Sequence, residues 1–274
     1  MNQARLFDLS PPAPDLAVYD VVIVNSSAGK DSQAALDVTV AAATAASVRD
    51  RVVVVHAELG RVEWPGTRAL AQEHAEHYGL RFEVVANRNW PDLLARIESR
   101  GRWPDAANRY CTSEFKTGQV RRVMTRLVDE LALDRPARIL NVLGLRAEES
   151  PARARKLPFA PDLAASTKTT RHVDRWLPIH HWSEAEVWAR IAVAGTRPHP
   201  AYAAGMPRLS CSLCVLASRS ALVRAAQLRS GLAAEYLALE LRMGHRFRQD
   251  LSMAEIVEQA RVSPVPTVVE SWTA

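Results

Sequence analysis

Two runs of four apolar residues, Val21-Val22-Ile23-Val24 and Val52-Val53-Val54-Val55, constrain this 274-residue chain more than any other feature. They are too short for helices, rich in β-branched side chains, and without the polar alternation of a strand that has one wet face. Such strands are covered on both sides, as in a parallel sheet between helices. The intervening segments agree. Ser32 to Ser47 is alanine-rich and reads as a helix, 65–78 and 90–100 carry helical patterns, and Arg81 to Val85 forms a third short strand. Residues 113–131 read as a helix before the strand Ile139-Leu140-Asn141-Val142-Leu143. A last strand is expected at 173–179, then a helix at 183–193 opened by the capping box Ser183-Glu184-Ala185-Glu186. A second box, Ser252-Met253-Ala254-Glu255, starts a terminal helix. Strands separated by helices predict an α/β fold with a doubly wound parallel sheet, which binds ligands at the carboxyl ends of its strands. The Pro-rich residues 1–17 read as a flexible lead-in, 18–218 as the main domain and 219–274 as a helical C-terminal extension.

Basic residues outnumber acidic ones, 35 against 30, a balance that suits a phosphate-bearing partner from ATP up to nucleic acid, and equally a solvated Arg-rich surface. No apolar run approaches the roughly 20 residues of a membrane span, and the first residues lack a signal core. A cytoplasmic protein with no membrane partner is expected. Three cysteines, an odd and sparse set, argue against a secreted disulfide framework.

The segment Ser26-Ser27-Ala28-Gly29-Lys30-Asp31-Ser32 falls between the first strand and the first helix. Backbone amides and the positive end of the helix dipole there face an incoming anion. Small residues allow close approach, Ser27 and Ser32 offer hydroxyls, Lys30 adds a charge, and Asp31 is a candidate for Mg²⁺. The Walker pattern is excluded, because Lys30 is followed by Asp31 and no glycine lies upstream at the right spacing; the dinucleotide fingerprint is also absent. The segment resembles the SGGxDS loop of the PP-loop ATP pyrophosphatases, with Ala28 at a glycine position and one added methyl.

After the fourth strand comes Gly144-Leu145-Arg146-Ala147-Glu148-Glu149-Ser150, then Arg153 and Arg155. A glycine at a strand end lets the chain turn beside a ligand, Arg146 suits two-pronged phosphate pairing, and Arg153 and Arg155 are candidates for a second substrate anion. A surface Arg/Glu cluster is the plain alternative. The ordered series Gly144-x-Arg146-x-x-Glu149-Ser150-x-x-Arg153 resembles an element of the phosphoadenosine phosphosulfate reductase family. His56-Ala57-Glu58-Leu59-Gly60 resembles that family's turn after the second strand, with Glu58 where Asp is usual. Leu177-Pro178-Ile179-His180-His181-Trp182 with Glu186-Val187-Trp188 resembles its Pro-Leu-x-x-Trp stretch. The resemblance spans about residues 18–218. It implies an adenine nucleotide alpha hydrolase-like, Rossmann-like fold and an ATP site formed by Ser26 to Ser32, His56, Gly144 and Arg146, with Lys30, Asp31 and Arg146 catalytic.

Cys111 stands alone, while Cys211 and Cys214 form a C-x-x-C pair. Such a pair places two thiolates on one metal, and a third cysteine can close the site; thiolates select zinc or iron–sulfur chemistry. Zinc would need a fourth ligand, with His199 and His181 as candidates. Three cysteines suit a [4Fe-4S] cluster with one open iron, and the layout resembles the cluster-bearing sulfurtransferases of the PP-loop superfamily. The cluster is the preferred expectation and zinc the alternative.

The chain has no cysteine after Cys214, so three thiols on a metal would leave none to attack sulfur as a sulfonucleotide reductase requires. The resemblance points instead to cleavage of ATP to AMP and pyrophosphate, with Mg²⁺, to activate an acceptor oxygen for sulfur insertion. DNA phosphorothioation is the nearest parallel and RNA thiolation its sibling. The implied partners are ATP, DNA or RNA, a sulfur donor such as a cysteine desulfurase, and other modification-system proteins. Arg219, Arg224, Arg229, Arg242, Arg246 and Arg248 are candidates to meet a nucleic-acid backbone, or form a solvated face. A phosphoadenylylsulfate or adenylylsulfate reductase and a zinc-stapled nucleotide-binding subunit remain as alternatives.

Overall fold

The computed structural model describes residues 13–264. The chain forms two units interleaved in sequence, one comprising Met1–His56, Leu70–Val84 and Arg121–Pro198, the other Ala57–Ala69, Val85–Val120 and His199–Ala274. Most of the expected lead-in, residues 1–12, lies outside the described residues, as do 265–274. Leu16 is buried in the core of the first unit.

A six-stranded sheet organises the chain. Its strands are β1 (Val21–Asn25), β2 (Val52–Glu58), β3 (Arg81–Ala86), β4 (Ala137–Val142), β5 (Phe159–Pro161) and β6 (Arg171–Trp176), in the order β3-β2-β1-β4-β6-β5. β1 pairs in parallel with β2 and β4, and β4 with β6; β5 runs antiparallel to β6. The two valine-rich runs are β1 and β2, and their apolar residues are fully or almost fully buried, as their uninterrupted apolar character requires. Connections from β1 step outward in one direction through β2 and β3 and in the other through β4 and β6. The β1–β4 boundary is therefore the switch point where such sheets bind ligands.

The last strand ends at Trp176 rather than extending to residue 179. Pro178 has no amide to continue the ladder, and Leu177 to Trp182 instead make turns closed by His180 N donating to Leu177 O and Trp182 N to Ile179 O. β5, a three-residue edge strand, was not expected.

The first helix, α1 (Lys30–Ala45), is covered on two sides. Leu36, Val40 and Ala43 pack on the sheet, while Ala34 and Ala35 meet Ile179, Trp182, Val187 and Ile191. The remaining helices are α2 (Thr67–His77), α3 (Leu93–Arg100), α4 (Tyr110–Thr112), α5 (Gly118–Leu131), α6 (Pro151–Ala154), α7 (Glu184–Ala194), α8 (Arg219–Leu228), α9 (Ser230–Met243) and α10 (Met253–Val262). Both predicted capping boxes form, at Ser183/Glu186 and Ser252/Glu255. The helix expected over 113–131 is interrupted by a π-helical turn, Ser113–Thr117, between α4 and α5. Gly118 donates its amide to Ser113 O, and a Cβ there would stand 2.6 Å from that oxygen. Only glycine fits this wide turn. Among the described residues no helix is long and apolar enough to cross a membrane.

The second unit has its own core, in which α3 and α8–α10 surround Trp64, Trp103, Tyr236 and Phe247. Trp103 stacks on Tyr236 and meets Phe247 edge-on, each at 5.2 Å between centroids. The buried Glu240 carboxylate accepts from Phe247 N at 2.5 Å and Met253 N at 2.8 Å, fixing the turn into α10.

Candidate functional site

The phosphate-loop residues occupy the switch point within the first unit. Asn25, at the end of β1, donates from Nδ2 to Asn141 Oδ1 (2.7 Å) and Val142 O (2.9 Å), tying the carboxyl ends of β1 and β4. The loop then holds itself together: Ser32 Oγ donates to Gly29 O at 2.9 Å, Ser27 N donates to Ser32 Oγ at 3.2 Å, and Ala28 N to Ser26 Oγ at 3.3 Å. Gly29 is the N-cap of α1 and offers no side-chain cap, so the first-turn amides face outward as an anion cradle. Ala28 adopts φ +54°, the left-handed region, and is fully buried. Its departure from glycine is thus conformational, costing about 1 kcal/mol, and not only one extra methyl. His56, expected to touch ATP, faces the loop's start, with Nδ1 3.0 Å from Ser26 O.

The second arm locks onto this loop through Gly144. A Cβ at that position would stand 2.4 Å from Asp31 O and 2.7 Å from Ser32 N. The chain leaving β4 therefore lies directly on the first turn of α1. Two residues later the Arg146 side chain, 3% exposed, donates from Nε to Asp31 Oδ1 at 2.5 Å. Its Nη1 pairs with Glu148, and Nη2 lies 3.8 Å from Glu184. Lys30, 1% exposed, has its ammonium 3.6 Å from Glu184 and 3.9 Å from Asp31. Burying two unpaired cations would cost several kcal/mol each; here three carboxylates supply the counter-charge. Asp31, expected to hold Mg²⁺, has both oxygens turned toward cations.

Glu148 and Glu184 were not singled out in the sequence. Their side chains are 48% and 52% exposed, against 17% for Asp31. Both border solvent, whereas Asp31 is held by Arg146. The available signal was position: Glu184 is the first residue after the Ser183 cap, and Glu148 lies inside the Arg146 motif. Arg153 pairs with Glu149 rather than standing ready for a second anion, and Arg155 is exposed. His180 braces this arm, its carbonyl accepting from Ala147 N (2.8 Å) and its Nε2 lying 3.0 Å from Arg153 O.

The cysteines lie in the second unit. Cys111 sits in α4, just before the π-helical turn that carries Lys116, and π turns recur at functional sites. Burial raises the Cys111 thiol and pushes Cys211 up to about 12; each is raised further by Cys214 and drawn down by Lys116. The three thiols are thus neighbours. Among the described residues, however, no group of three or more His, Cys, Asp or Glu side chains is arranged to hold a metal ion. The proposed fourth zinc ligand fails on its own account: His199 Nε2 is 2.9 Å from Pro65 O, and Nδ1 accepts from Ala201 N at 3.1 Å, so both ring nitrogens are engaged by backbone. His181 is exposed and packs edge-on against His180.

The arginines of 219–248 are engaged within the second unit. Arg242 pairs with Glu98, Arg246 with Glu255 and Arg248 with Asp250, Arg219 donates to Gln259, and Arg224 to Gln227. Arg229 donates to Glu63 O, Ser212 Oγ and Arg61 O. These contacts fit the solvated face better than an open backbone-binding stripe.

The family model of the phosphoadenosine phosphosulfate reductase domain matches residues 21–217. An uncharacterized 37.8 kDa protein in the gpa 5' region of Escherichia phage 186 is 35% identical over 154 residues, 55% of this chain and 42% of that protein. The adenosine 5'-phosphosulfate reductase of Neisseria meningitidis serogroup A is 29% identical over 136 residues, 49% of this chain and 48% of the enzyme. The chain thus spans under half the length of these curated relatives. Among solved structures, the phosphoadenylyl-sulfate (PAPS) reductase of Candida auris in its phosphate complex aligns at 14% identity and TM-score 0.46, over 76% of this chain and 91% of that one. The U34-tRNA thiolase of Methanococcus maripaludis with its [4Fe-4S] cluster aligns at 14% and 0.43, over 91% and 73%. With a match that covers both arms of the switch-point site, the chain belongs to the phosphoadenosine phosphosulfate reductase domain family.

Proposed function

We propose that this chain cleaves ATP between the α and β phosphates and transfers the adenylyl group to an acceptor oxygen, which a sulfur nucleophile then replaces. The observation that carries this reading is the packing of Gly144 on the first turn of α1, which brings the buried cations Lys30 and Arg146 to one cradle of backbone amides. The amides of the α1 first turn and Lys30 hold the β and γ phosphates, and Arg146 stabilises charge developing at the α phosphate. The acceptor oxygen attacks the α phosphorus, the bond to the bridging oxygen breaks, and pyrophosphate leaves. Asp31 would hold a Mg²⁺ that came with the nucleotide by giving up its longer contact with Lys30, and the ion would supply neutralisation of phosphate charge. In the second step sulfur attacks the adenylated centre, and AMP departs with the original oxygen.

Nucleic acid is the proposed acceptor, in DNA phosphorothioation or in RNA thiolation, and a cysteine desulfurase-type donor supplies the sulfur. Cys111, Cys211 and Cys214 are the residues that would hold an iron–sulfur cluster. Their chemistry suits it, but their arrangement does not form a closed metal group, and no step above passes through one.

Radiolabelled ATP incubated with the full chain, with and without DNA or tRNA, tests the proposal. AMP and pyrophosphate are the expected products, stimulated by the correct acceptor. Formation of ADP, or release of sulfite from phosphoadenylylsulfate or adenylylsulfate in place of ATP turnover, would falsify it. Sulfite release is the outcome that the named activity of the Neisseria relative would predict.

A further inference from the structure

A second cationic site stands at the opposite ends of the strands. Arg171 opens β6 beside Ala137 of β4, at the amino ends of these strands, whereas Gly144 and Arg146 follow the carboxyl end of β4. Arg171 is 7% exposed. Its Nε donates to Ala165 O at 2.8 Å and its Nη1 to Thr125 Oγ1 at 2.7 Å. Among the described residues no carboxylate lies within ion-pair distance of it. Arg121 stands one helical turn before Thr125 on α5, where Thr125 Oγ1 donates to Arg121 O at 3.1 Å, so both face the same way. Arg121 is half-buried, likewise without a carboxylate partner among the described residues, and Thr125 is exposed, so the group opens to solvent. Burial and the neighbouring Arg121 both weigh against the charge on Arg171.

A guanidinium carries five N–H donors in a fixed fork, and the two bonds of Arg171 leave most of them unused. The contrast with Arg146 is direct, for that equally buried arginine is surrounded by three carboxylates. A nearly buried cation with a second cation beside it, and no acid, is costly unless an anion completes it. We propose that Arg121, Thr125 and Arg171 form a second oxyanion site that takes a phosphate group. Two forked guanidinium groups match the oxygens of a tetrahedral phosphate, and Thr125, whose hydroxyl accepts from Arg171 and donates to Arg121 O, holds Arg171 in place. The site shares no residue with the ATP cradle, so it stands whether or not the ATP reading does. Free phosphate and a nucleic-acid backbone are the two sources of this chemistry.

The test is calorimetric titration of the full chain with inorganic phosphate in a Lys30→Ala background, which weakens the loop site. Binding is expected to persist there and to weaken about tenfold or more when Arg121→Gln is added. Arg121 is a surface-accessible helix residue, so the double variant keeps its fold, checked by circular dichroism; Arg171→Lys, which retains charge but loses the fork, gives a second measure and should also weaken binding. Absence of phosphate binding in Lys30→Ala, or equal binding with and without Arg121, overturns the proposal. Arg121→Gln alone should leave ATP cleavage unchanged. A short DNA duplex is then added as competitor: displacement of phosphate from this second site identifies a nucleic-acid backbone as the source, and lack of displacement identifies free phosphate.

Discussion

In the unit built on the sheet, Lys30 and Arg146 are buried, yet each has carboxylates within 4 Å, and the loop beside them is closed by its own hydrogen bonds. In the unit built around Trp64 and Trp103, burial raises the thiols of Cys111 and Cys211 and so weighs against their thiolates. The first site is held together by its own contacts, and on the proposed function binding requires only that the half-exposed Glu148 and Glu184 turn aside. In the second, ligation or nucleophilic attack through Cys111 or Cys211 must first release a proton against the cost of burial. Preorganisation of this kind belongs where transition-state charge is stabilised.

The largest effect that would break this contrast is at Gly144. Gly144→Ala drives a methyl into the α1 backbone at Asp31 and Ser32. Overpacking against backbone should cost about 2–3 kcal/mol in urea unfolding. Displacing the cradle by about 1 Å should lower AMP formation at least about a hundredfold. Near-normal AMP formation in this variant would mean that the two arms do not act as one site.

Lys30→Ala comes next. Asp31 retains Arg146 as its partner, so the fold should persist while AMP formation falls by about 10²–10³-fold. Cys111→Ser provides the counterpart, with AMP formation expected within about twofold of wild type and sulfur incorporation lost. If the cysteine variant loses ATP cleavage as well, the two units are not functionally separable.

These effects also mark how far the sequence could be read. β1 and β2 were legible because a strand buried on both faces needs an unbroken apolar run, and Val21–Val24 and Val52–Val55 have no other stable use. β5 was not, since three edge residues with Phe159 and Pro161 exposed carry no period. The loop was legible from strand, turn and helix in order. The state of Asp31 was not, because it depends on Arg146, a residue far along the chain. Cys211 and Cys214 announce a pair by their spacing, but whether Cys111 closes a metal site depends on side-chain placement that spacing does not encode.

Glu184→Gln gives a smaller effect in the opposite direction. Half-exposed and 3.6 Å from the Lys30 ammonium, this carboxylate occupies space that a phosphate must take. Losing one partly exposed ion pair of this kind is worth up to about 1 kcal/mol, so the KM for ATP should fall about two- to fivefold with little change in kcat. A raised KM would instead make Glu184 a ligand-positioning group.

The smallest effect tests the loop itself. Ala28 is buried at φ +54°, a conformation that costs an L-residue about 1–2 kcal/mol and glycine almost nothing. Ala28→Gly removes that strain but frees the unfolded chain, which offsets about 0.4–1 kcal/mol. The net expectation is a gain of about 0.5 kcal/mol in urea unfolding, with AMP formation unchanged or modestly higher, because the small residue brings the cradle amides no farther from phosphate. A loss of stability would mean that the Ala28 methyl contributes packing worth more than the backbone strain, and that the preformed cradle depends on its side chain as well as on its amides.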